Sequence, residues 1–173
     1  MRRPLFAGIS ADMENFVKIA EGLEVSAALA ELGGQPEHVW LRLNPDASRY
    51  IPLLDHGRAR RLEAELPETW RLIDAVRAVM AAEHDDHGAL SHARVGLMPP
   101  GEGLPPHHDG IDGVTERRYQ LALQSAPGVV LTVGGETRCP RPGEAWRIAA
   151  ERTHMVANGS DIDRITILFD TKG

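Results

Sequence analysis

The sequence predicts a mainly β protein, with helices in its N-terminal half and a β-sandwich or jelly roll in its C-terminal half. After residue 89, short alternating or apolar segments follow one another between Gly- and Pro-rich turns, as in antiparallel β-folds. Residues 58–83 instead repeat apolar side chains at helical spacing. No linker-like tract divides the chain, so we expect one domain over residues 1–173, with a helical portion at 1–88 packed on a β-core at 89–173.

The N-terminal half carries three helical signals. Ser10 can cap a helix over residues 10–20, and residues 24–32 predict a second helix that a Gly-Gly pair ends. The apolar stripe over residues 58–83 predicts core packing against a sheet. Pro67 is expected to split this stretch into two helices, because proline interrupts the backbone hydrogen bonds of a helix.

The other predicted elements are loops and strands. Residues 39–43 alternate and predict a strand, and residues 42–54 predict a loop that leads back to the body of the protein. Residues 84–87 (HDDH) group possible metal ligands, but they join two elements and are expected to form a solvated loop. Further strands are predicted at 93–98, 117–125, 129–133, 136–139, 145–148, 154–157 and 164–170.

The C-terminal half contains residues whose types and spacing suit a metal ion. His107 and Asp109 stand at i and i+2, so on an extended segment both side chains point to one side. His154, from a distant predicted strand, supplies a third ligand. Two imidazoles and one carboxylate with open positions form the arrangement associated with non-haem Fe(II) oxygenases, whereas a structural zinc site is closed and usually rich in sulfur. The pattern therefore predicts a ferrous iron site.

Arg164, on the last predicted strand, is interpreted as the cation that holds an acidic co-substrate. Each candidate also has an ordinary interpretation. A histidine in a Pro- and Gly-rich loop often faces solvent, and Asp109-Gly110 is a common turn. His154 could pack at a strand edge, and Arg164 could pair with Asp163 on the surface. A single site explains the four residues in this order more simply than four coincidences.

Composition restricts the class of protein further. The chain has 173 residues, of which 42% are hydrophobic and 25% charged, as in an ordinary globular domain. The net charge of −6 argues against nucleic acid and anionic membranes as partners. Cys139 is the single cysteine, which excludes an internal disulfide and fits a reducing cytosol. No apolar run reaches the ~20 residues that span a bilayer, so we expect a cytoplasmic protein without a signal peptide.

Ordered motifs in residues 93–170 resemble the aspartyl/asparaginyl β-hydroxylase family, which includes bacterial hydroxylases of free amino acids such as proline. No single motif is specific, but their combination and order are. The motifs are 101–109 (GEGLPPHHD), 118–123 (RYQLAL), 133–136 (VGGE), 142–146 (PGEAW), 154–158 (HMVAN) and 163–165 (DRI).

This resemblance implies a double-stranded β-helix, or jelly roll, that uses Fe(II), 2-oxoglutarate and O2. The implied reaction hydroxylates an unactivated C–H bond of an amino acid, an amino-acid residue or a related small molecule, and it releases succinate and CO2. The three residues of the predicted iron site would bind the metal and take part in catalysis. Arg164 would pair with the distal carboxylate of 2-oxoglutarate, and Arg118 would be a second cation near it. Gln120, where some relatives carry a histidine, would be a further co-substrate contact.

Four alternatives stay open on the sequence alone. Some members of the family lack the carboxylate ligand and carry His-x-Gly, which His108 and Gly110 would fit, although His107 with Asp109 needs no unusual chemistry. Asp112 is a remote third possibility for the carboxylate. A cupin-like metal enzyme without 2-oxoglutarate would carry a glutamate four residues after the first histidine, which this chain lacks. A non-enzymatic jelly-roll module could also bind a small ligand, but it has no need of an open iron site.

Overall fold

Two antiparallel β-sheets and two α-helices make up the described part of the structure, a computed structural model, which covers residues 14–42, 48–55 and 60–173. The helices are α1 (Ser26–Gly33) and α2 (Pro67–Glu83), and a 3-10 helix spans Glu37–Val39. The strands are β1 (Phe16–Ala20), β2 (Leu41–Arg42), β3 (Arg49–Leu54), β4 (Ala89–Met98), β5 (Gly103–His107), β6 (Glu116–Gln124), β7 (Val129–Val133), β8 (Glu136–Arg138), β9 (Ala145–Ile148), β10 (His154–Asn158) and β11 (Arg164–Lys172).

The strands divide between a major and a minor sheet. The major sheet has seven strands in the order β1-β9-β6-β11-β4-β3-β2, and the minor sheet has four in the order β5-β10-β7-β8. From β4 onward the chain passes repeatedly between the two sheets, with antiparallel pairing throughout. This is a jelly roll, as predicted. Neither described helix is both long and apolar enough to cross a membrane.

The two faces of the major sheet have different neighbours, because successive side chains of a strand point to opposite sides. Val95 of β4, Tyr119 of β6 and Phe169 of β11 are buried with Trp70 and Ile73 of α2 in the main hydrophobic cluster. The residues next to these strand positions line a pocket on the opposite face, toward the minor sheet. The helices thus support one face of the sheet and leave the other for a binding site.

Two strands of the N-terminal half form where a helix or a loop was predicted. The predicted helix over residues 10–20 is wrong for Phe16–Ala20, which is β1 and pairs with β9. Residues 10–13 lie outside the described part. The predicted loop over 42–54 contains β3, which pairs with β4, while residues 43–47 are outside the described part. Short apolar runs fit both helical and strand periods, and here pairing with a neighbouring strand decides.

Pro67 begins α2 and does not divide a longer helix. Its ring suits the first turn, where the missing N–H has no helical partner to lose. Residues 60–66 form turns, and residues 56–59 lie outside the described part. Of the strand predicted at 39–43, Leu41–Arg42 form β2 and Val39 belongs to the 3-10 helix, while residue 43 lies outside the described part. β5 forms where the Pro- and Gly-rich sequence predicted a loop. The prediction for α1 and those for the remaining C-terminal strands are confirmed, with small shifts at their ends.

Candidate metal centre and co-substrate pocket

The three predicted iron ligands come together where β5 meets β10. His107 ends β5, His154 begins β10, and these two residues are paired directly across the minor sheet. Asp109 follows two residues after His107, and its backbone N–H donates to the carbonyl oxygen of Ala150 at 2.9 Å. This hydrogen bond holds the chain after β5 close to β10, so the carboxylate lies beside both imidazoles.

The ligand atoms of this group converge. One such atom from each of His107, Asp109 and His154 lies within 4.8 Å of the other two. Oδ2 of Asp109 is 3.3 Å from Nε2 of His154, and Oδ1 is 4.0 Å from Nε2 of His107. Within residues 14–42, 48–55 and 60–173, no other group of three or more His, Cys, Asp or Glu side chains converges in this way. Two nitrogen donors and one oxygen donor suit Fe(II).

Backbone carbonyls orient both imidazole rings. Nδ1 of His107 lies 2.8 Å from the carbonyl oxygen of Pro105, and Nδ1 of His154 lies 2.9 Å from that of Arg152. Because a carbonyl oxygen can only accept, each Nδ1 carries the hydrogen, so the neutral form of each ring has its lone pair on Nε2. Nε2 of His154 donates to Asp109 only when this ring is protonated. Histidines that bind metals are commonly oriented through their second nitrogen in this way. The donor set therefore fits a ferrous ion.

The electrostatics of the site keep Asp109 ionised. Burial by itself would raise the pKa of this carboxyl group, but the hydrogen bond with His154 and the positive charge of Arg118 outweigh burial and lower the pKa to about 2. Burial lowers the pKa of His154, whereas the bond to Asp109 raises it, and the net result is a raised pKa. An anionic oxygen donor is thus available to a cation at neutral pH.

Arg118 contacts two carboxylates. Its Nε and Nη2 donate to the two carboxylate oxygens of Asp170 at 2.8 and 2.7 Å, and its Nη1 donates to Oδ2 of Asp109. The sequence predicted that Arg118 binds the co-substrate. In the structure it lines the pocket, but three of its donors are directed at these carboxylates. We therefore interpret Arg118 mainly as the residue that positions Asp109.

Arg164 differs from Arg118 because no carboxylate pairs with it anywhere in the described part of the chain. Its guanidinium is half-buried and donates to the side-chain oxygen of Gln120 at 3.0 Å. Burial without a compensating anion lowers the pKa of Arg164 to about 10. Thr166 lies two residues further along β11, on the same face, and its buried hydroxyl has no hydrogen-bond partner. A cation and an unpartnered hydroxyl together suit a carboxylate group, such as the distal one of 2-oxoglutarate.

One pocket between the two sheets is lined by residues of the predicted metal site and by the predicted co-substrate residues. It is lined by Arg164, Gln120, His107 and His154, and its space is about 690 Å³ including the open mouth. Its apolar wall consists of Leu104, Leu131, Val156 and Leu168.

The other candidate ligands lie apart from this group. His108 is exposed and does not converge with His154, so the geometry favours the His107 register. The Asp112 carboxylate accepts backbone N–H groups from residues 114–116 and closes its own turn. In the segment at 84–87, the prediction of a solvated loop is wrong for Asp86. This residue is buried and accepts hydrogen bonds from Tyr119 and Arg117.

Sequence reasoning missed Thr166 as a pocket residue. The signal was present, because a residue at i+2 from Arg164 on a strand shares its face. What the sequence could not indicate is that the hydroxyl stays unpartnered, since this depends on the strands on either side of β11.

The profile of the family described as Aspartyl/Asparaginyl beta-hydroxylase matches residues 29–172. The chain belongs to this family. This membership makes it a 2-oxoglutarate-dependent oxygenase, whose cofactors are Fe(II), 2-oxoglutarate and O2. It also argues against the cupin-like enzyme.

Solved structures resemble this family member in fold. One is an oxidoreductase of the 2OG-Fe(II) oxygenase family from Burkholderia pseudomallei, with 14% identity, a TM-score of 0.65 and coverage of 87% of this chain and 78% of that one. The α-ketoglutarate-dependent epimerase SnoN of nogalamycin biosynthesis has 18% identity, a TM-score of 0.67 and coverage of 91% and 78%. A Pseudomonas putida prolyl-4-hydroxylase has 16% identity, a TM-score of 0.63 and coverage of 92% and 93%. No protein of curated function matches by sequence.

Proposed function

We propose that this chain is a hydroxylase in which His107, Asp109 and His154 hold Fe(II) and Arg164 holds 2-oxoglutarate. One observation carries the proposal: both histidines of a converging His-Asp-His group line the same pocket as a guanidinium without a carboxylate partner among the described residues. A 2-oxoglutarate molecule has one end that suits a metal ion and a second carboxylate that suits a buried cation. The pocket offers a partner to each end.

Bound iron supplies the oxidative chemistry, in which O2 and 2-oxoglutarate are consumed, succinate and CO2 are released, and a C–H bond of the substrate becomes C–OH. The residues of the chain provide position and surroundings. His107, Asp109 and His154 would hold the metal, and three protein ligands would leave it positions for the co-substrate and O2. Arg164 and Thr166 orient the co-substrate through its distal carboxylate, and Gln120 holds the Arg164 guanidinium in place. The apolar wall limits the access of water to the reacting C–H bond.

The proposed substrate is an amino acid, an amino-acid residue or a related small molecule. The family description and the likeness in fold to a prolyl-4-hydroxylase support this choice. We propose no nucleic-acid or membrane partner, because the net charge of −6 disfavours polyanions. We also propose a cytoplasmic location, which the single cysteine supports.

Anaerobic titration of the Fe(II)-loaded protein with 2-oxoglutarate tests the proposal. We expect the weak visible charge-transfer band of an iron-bound 2-oxo acid in the wild type. The variant His154→Ala is expected to lose iron and band together. Arg164→Met is expected to keep iron but to need ~10- to 100-fold more 2-oxoglutarate, since a charge-assisted hydrogen bond is worth about 1.5–3 kcal/mol.

Two further variants control this experiment. Thr166→Val keeps the side-chain shape, and it is expected to weaken 2-oxoglutarate binding by only ~5-fold without reducing the free energy of unfolding, since the hydroxyl has no partner in the free protein. Arg71→Met removes an exposed arginine of α2 and should bind 2-oxoglutarate like the wild type. Iron binding without any band in the wild type would contradict the proposed function.

A further inference from the structure

Arg94 is a second unpaired cation of the same pocket, and the proposed binding of iron and 2-oxoglutarate does not use it. It lies on β4 opposite Leu168 of β11, and both side chains line the pocket. Arg94 is half-buried, and it makes no hydrogen bond or ion pair within residues 14–42, 48–55 and 60–173. A guanidinium has five N–H donors in a planar fork that matches a carboxylate, so this side chain can bind an anion.

The surroundings of Arg94 increase its need for an anion. Burial lowers the pKa of its guanidinium, and the positive charge of Arg118 lowers it further, while Asp109 and Asp170 only partly oppose these effects. Both carboxylates are already bonded to Arg118. A bound carboxylate would therefore reduce the cost of holding Arg94 in the pocket, since it would supply the missing charge.

The positions of the two unpaired arginines indicate two different anions. On β4 and β11, Arg164 is opposite Met98, whereas Arg94 is opposite Leu168. Their Cα atoms are therefore four residues, or about 13 Å, apart along the strands, although the Arg164 guanidinium reaches Gln120, which is also opposite Leu168. Arg94 is close enough to Asp109 for their charges to interact, whereas the pKa of Arg164 reflects burial alone. Arg94 therefore lies nearer to Asp109 of the proposed metal site than Arg164 does.

We propose that Arg94 binds a carboxylate of the substrate, so that this chain hydroxylates small carboxylic acids, with free amino acids as the first candidates. The inference rests on the proposed function, because that function assigns Arg164 to the co-substrate and leaves Arg94 available to the substrate. The carboxylate could be the α-carboxylate of a free amino acid or the side chain of an aspartyl residue in a peptide. In both cases the charged group binds at Arg94 and a neighbouring C–H bond faces the metal.

Binding measurements on the loaded protein test this proposal. Calorimetry is performed without O2 on protein saturated with Fe(II) and 2-oxoglutarate. The probes are the twenty free amino acids, their carboxamides, and N-acetyl-aspartate amide with N-acetyl-asparagine amide. We expect at least one acid to bind ~10-fold or more tightly than its amide, because a charge-assisted hydrogen bond is lost with the carboxylate. A free amino acid that binds more tightly than its carboxamide indicates an α-carboxylate. N-acetyl-aspartate amide that binds more tightly than N-acetyl-asparagine amide indicates the side chain of an aspartyl residue.

Two variants connect the preference to Arg94. In Arg94→Met the acid is expected to bind no better than its amide, while the affinity for 2-oxoglutarate stays within ~2-fold of the wild type. In Arg94→Lys, which keeps the charge but not the fork, the preference is expected to be partly retained. Metal-free Arg94→Met should melt at or above the wild-type temperature, because the substitution removes a buried cation that has no partner in the described part of the chain.

The outcomes separate this inference from the function on which it rests. If the wild type binds 2-oxoglutarate but no acid exceeds its amide, the substrate assignment is wrong and the hydroxylase proposal stands. The same holds if Arg94→Met loses 2-oxoglutarate affinity, which would assign Arg94 to the co-substrate. If the wild type does not bind 2-oxoglutarate, both proposals are overturned.

Discussion

At the scale of single residues, Arg118 shows how a charged side chain can serve a metal site without binding the metal. Asp170 is 3% exposed, and Arg118 supplies its counter-charge while it also bonds to Asp109. Removing a partner from a buried ion pair leaves an uncompensated charge, which costs far more than the pair itself contributes. Arg118 is therefore expected to affect both the stability of the fold and the metal affinity.

The two effects of Arg118 can be measured separately. Arg118→Met is expected to lower the free energy of unfolding by about 3–5 kcal/mol, because Asp170 loses its partner. The double variant Arg118→Met/Asp170→Leu should recover most of this stability. It should nevertheless bind Fe(II) ~10-fold more weakly than the wild type, because Asp109 is no longer held. Chemical denaturation and anaerobic calorimetry measure the two quantities. Wild-type iron affinity in the double variant would contradict the positioning role.

At the scale of elements, the pairing of β5 with β10 sets the distance between the two histidines. Gly103 begins β5 and lies opposite Ala157, and the backbone of β10 passes so close that a Cβ on Gly103 would lie 2.8 Å from the carbonyl oxygen of Val156. The neighbouring atom belongs to the backbone, so it cannot rotate away. Glycine at this position therefore allows the close approach of the two strands that carry the site.

Gly103→Ala is expected to push β5 away from β10 and to move His107 relative to His154. We expect iron affinity to fall by ~10-fold or more, since a ligand that is displaced by a fraction of an ångström loses its geometry. Gly110→Ala is the matched control, because a Cβ at that glycine would meet no atom within 4 Å. Calorimetry with Fe(II) compares the two variants. Equal Fe(II) affinities in the two variants would show that the close approach at Gly103 does not determine the geometry of the metal site.

At the scale of the whole molecule, the N-terminal strands are part of the same sheet as the C-terminal ones. β1, β2 and β3 occupy both edges of the major sheet, which supports the prediction of a single domain. Glu144, buried in the turn before β9, ties these parts together. Its carboxylate accepts hydrogen bonds from Lys18 of β1 at 3.2 Å and from the side chain of Arg141 at 2.8 Å.

The Glu144 contacts predict how stability depends on pH. Burial alone would raise the pKa of this carboxyl group, but hydrogen bonds from the backbone and side chain of Arg141 and from Lys18 lower it from 4.5 to about 2. A depressed pKa in the folded state stabilises the protein above the unfolded-state pKa. This contribution is lost as the pH falls from about 5 to about 2.

Thermal unfolding between neutral and acidic pH tests this dependence. Glu144→Gln is expected to be less stable than the wild type at neutral pH, and the difference should shrink as the pH falls below the unfolded-state pKa. Glu63→Gln, which changes an exposed carboxylate, should follow the wild-type curve. A constant difference between Glu144→Gln and the wild type at every pH would show that the charge of Glu144 does not contribute.

The sequence by itself determined the jelly-roll class, most of its C-terminal strands and the residues that could carry the chemistry. His107, Asp109, His154 and Arg164 could be proposed as site residues because ligand chemistry depends on residue type, and because i and i+2 on an extended segment share a face whatever surrounds them. The family motifs added the expectation of 2-oxoglutarate. These features are local, so they can be read along the chain.

The tertiary structure alone decided the features that depend on distant pairing. Phe16–Ala20 and Arg49–Leu54 are strands because β9 and β4 offer them open edges, and β5 forms because β10 pairs with it. The same reason separates three of the four arginines that line the pocket. Arg118 has carboxylate partners from β11 and from the segment after β5, whereas Arg94 and Arg164 have none within the described residues. Which charges are compensated depends on contacts between residues far apart in sequence, and only the fold determines these contacts.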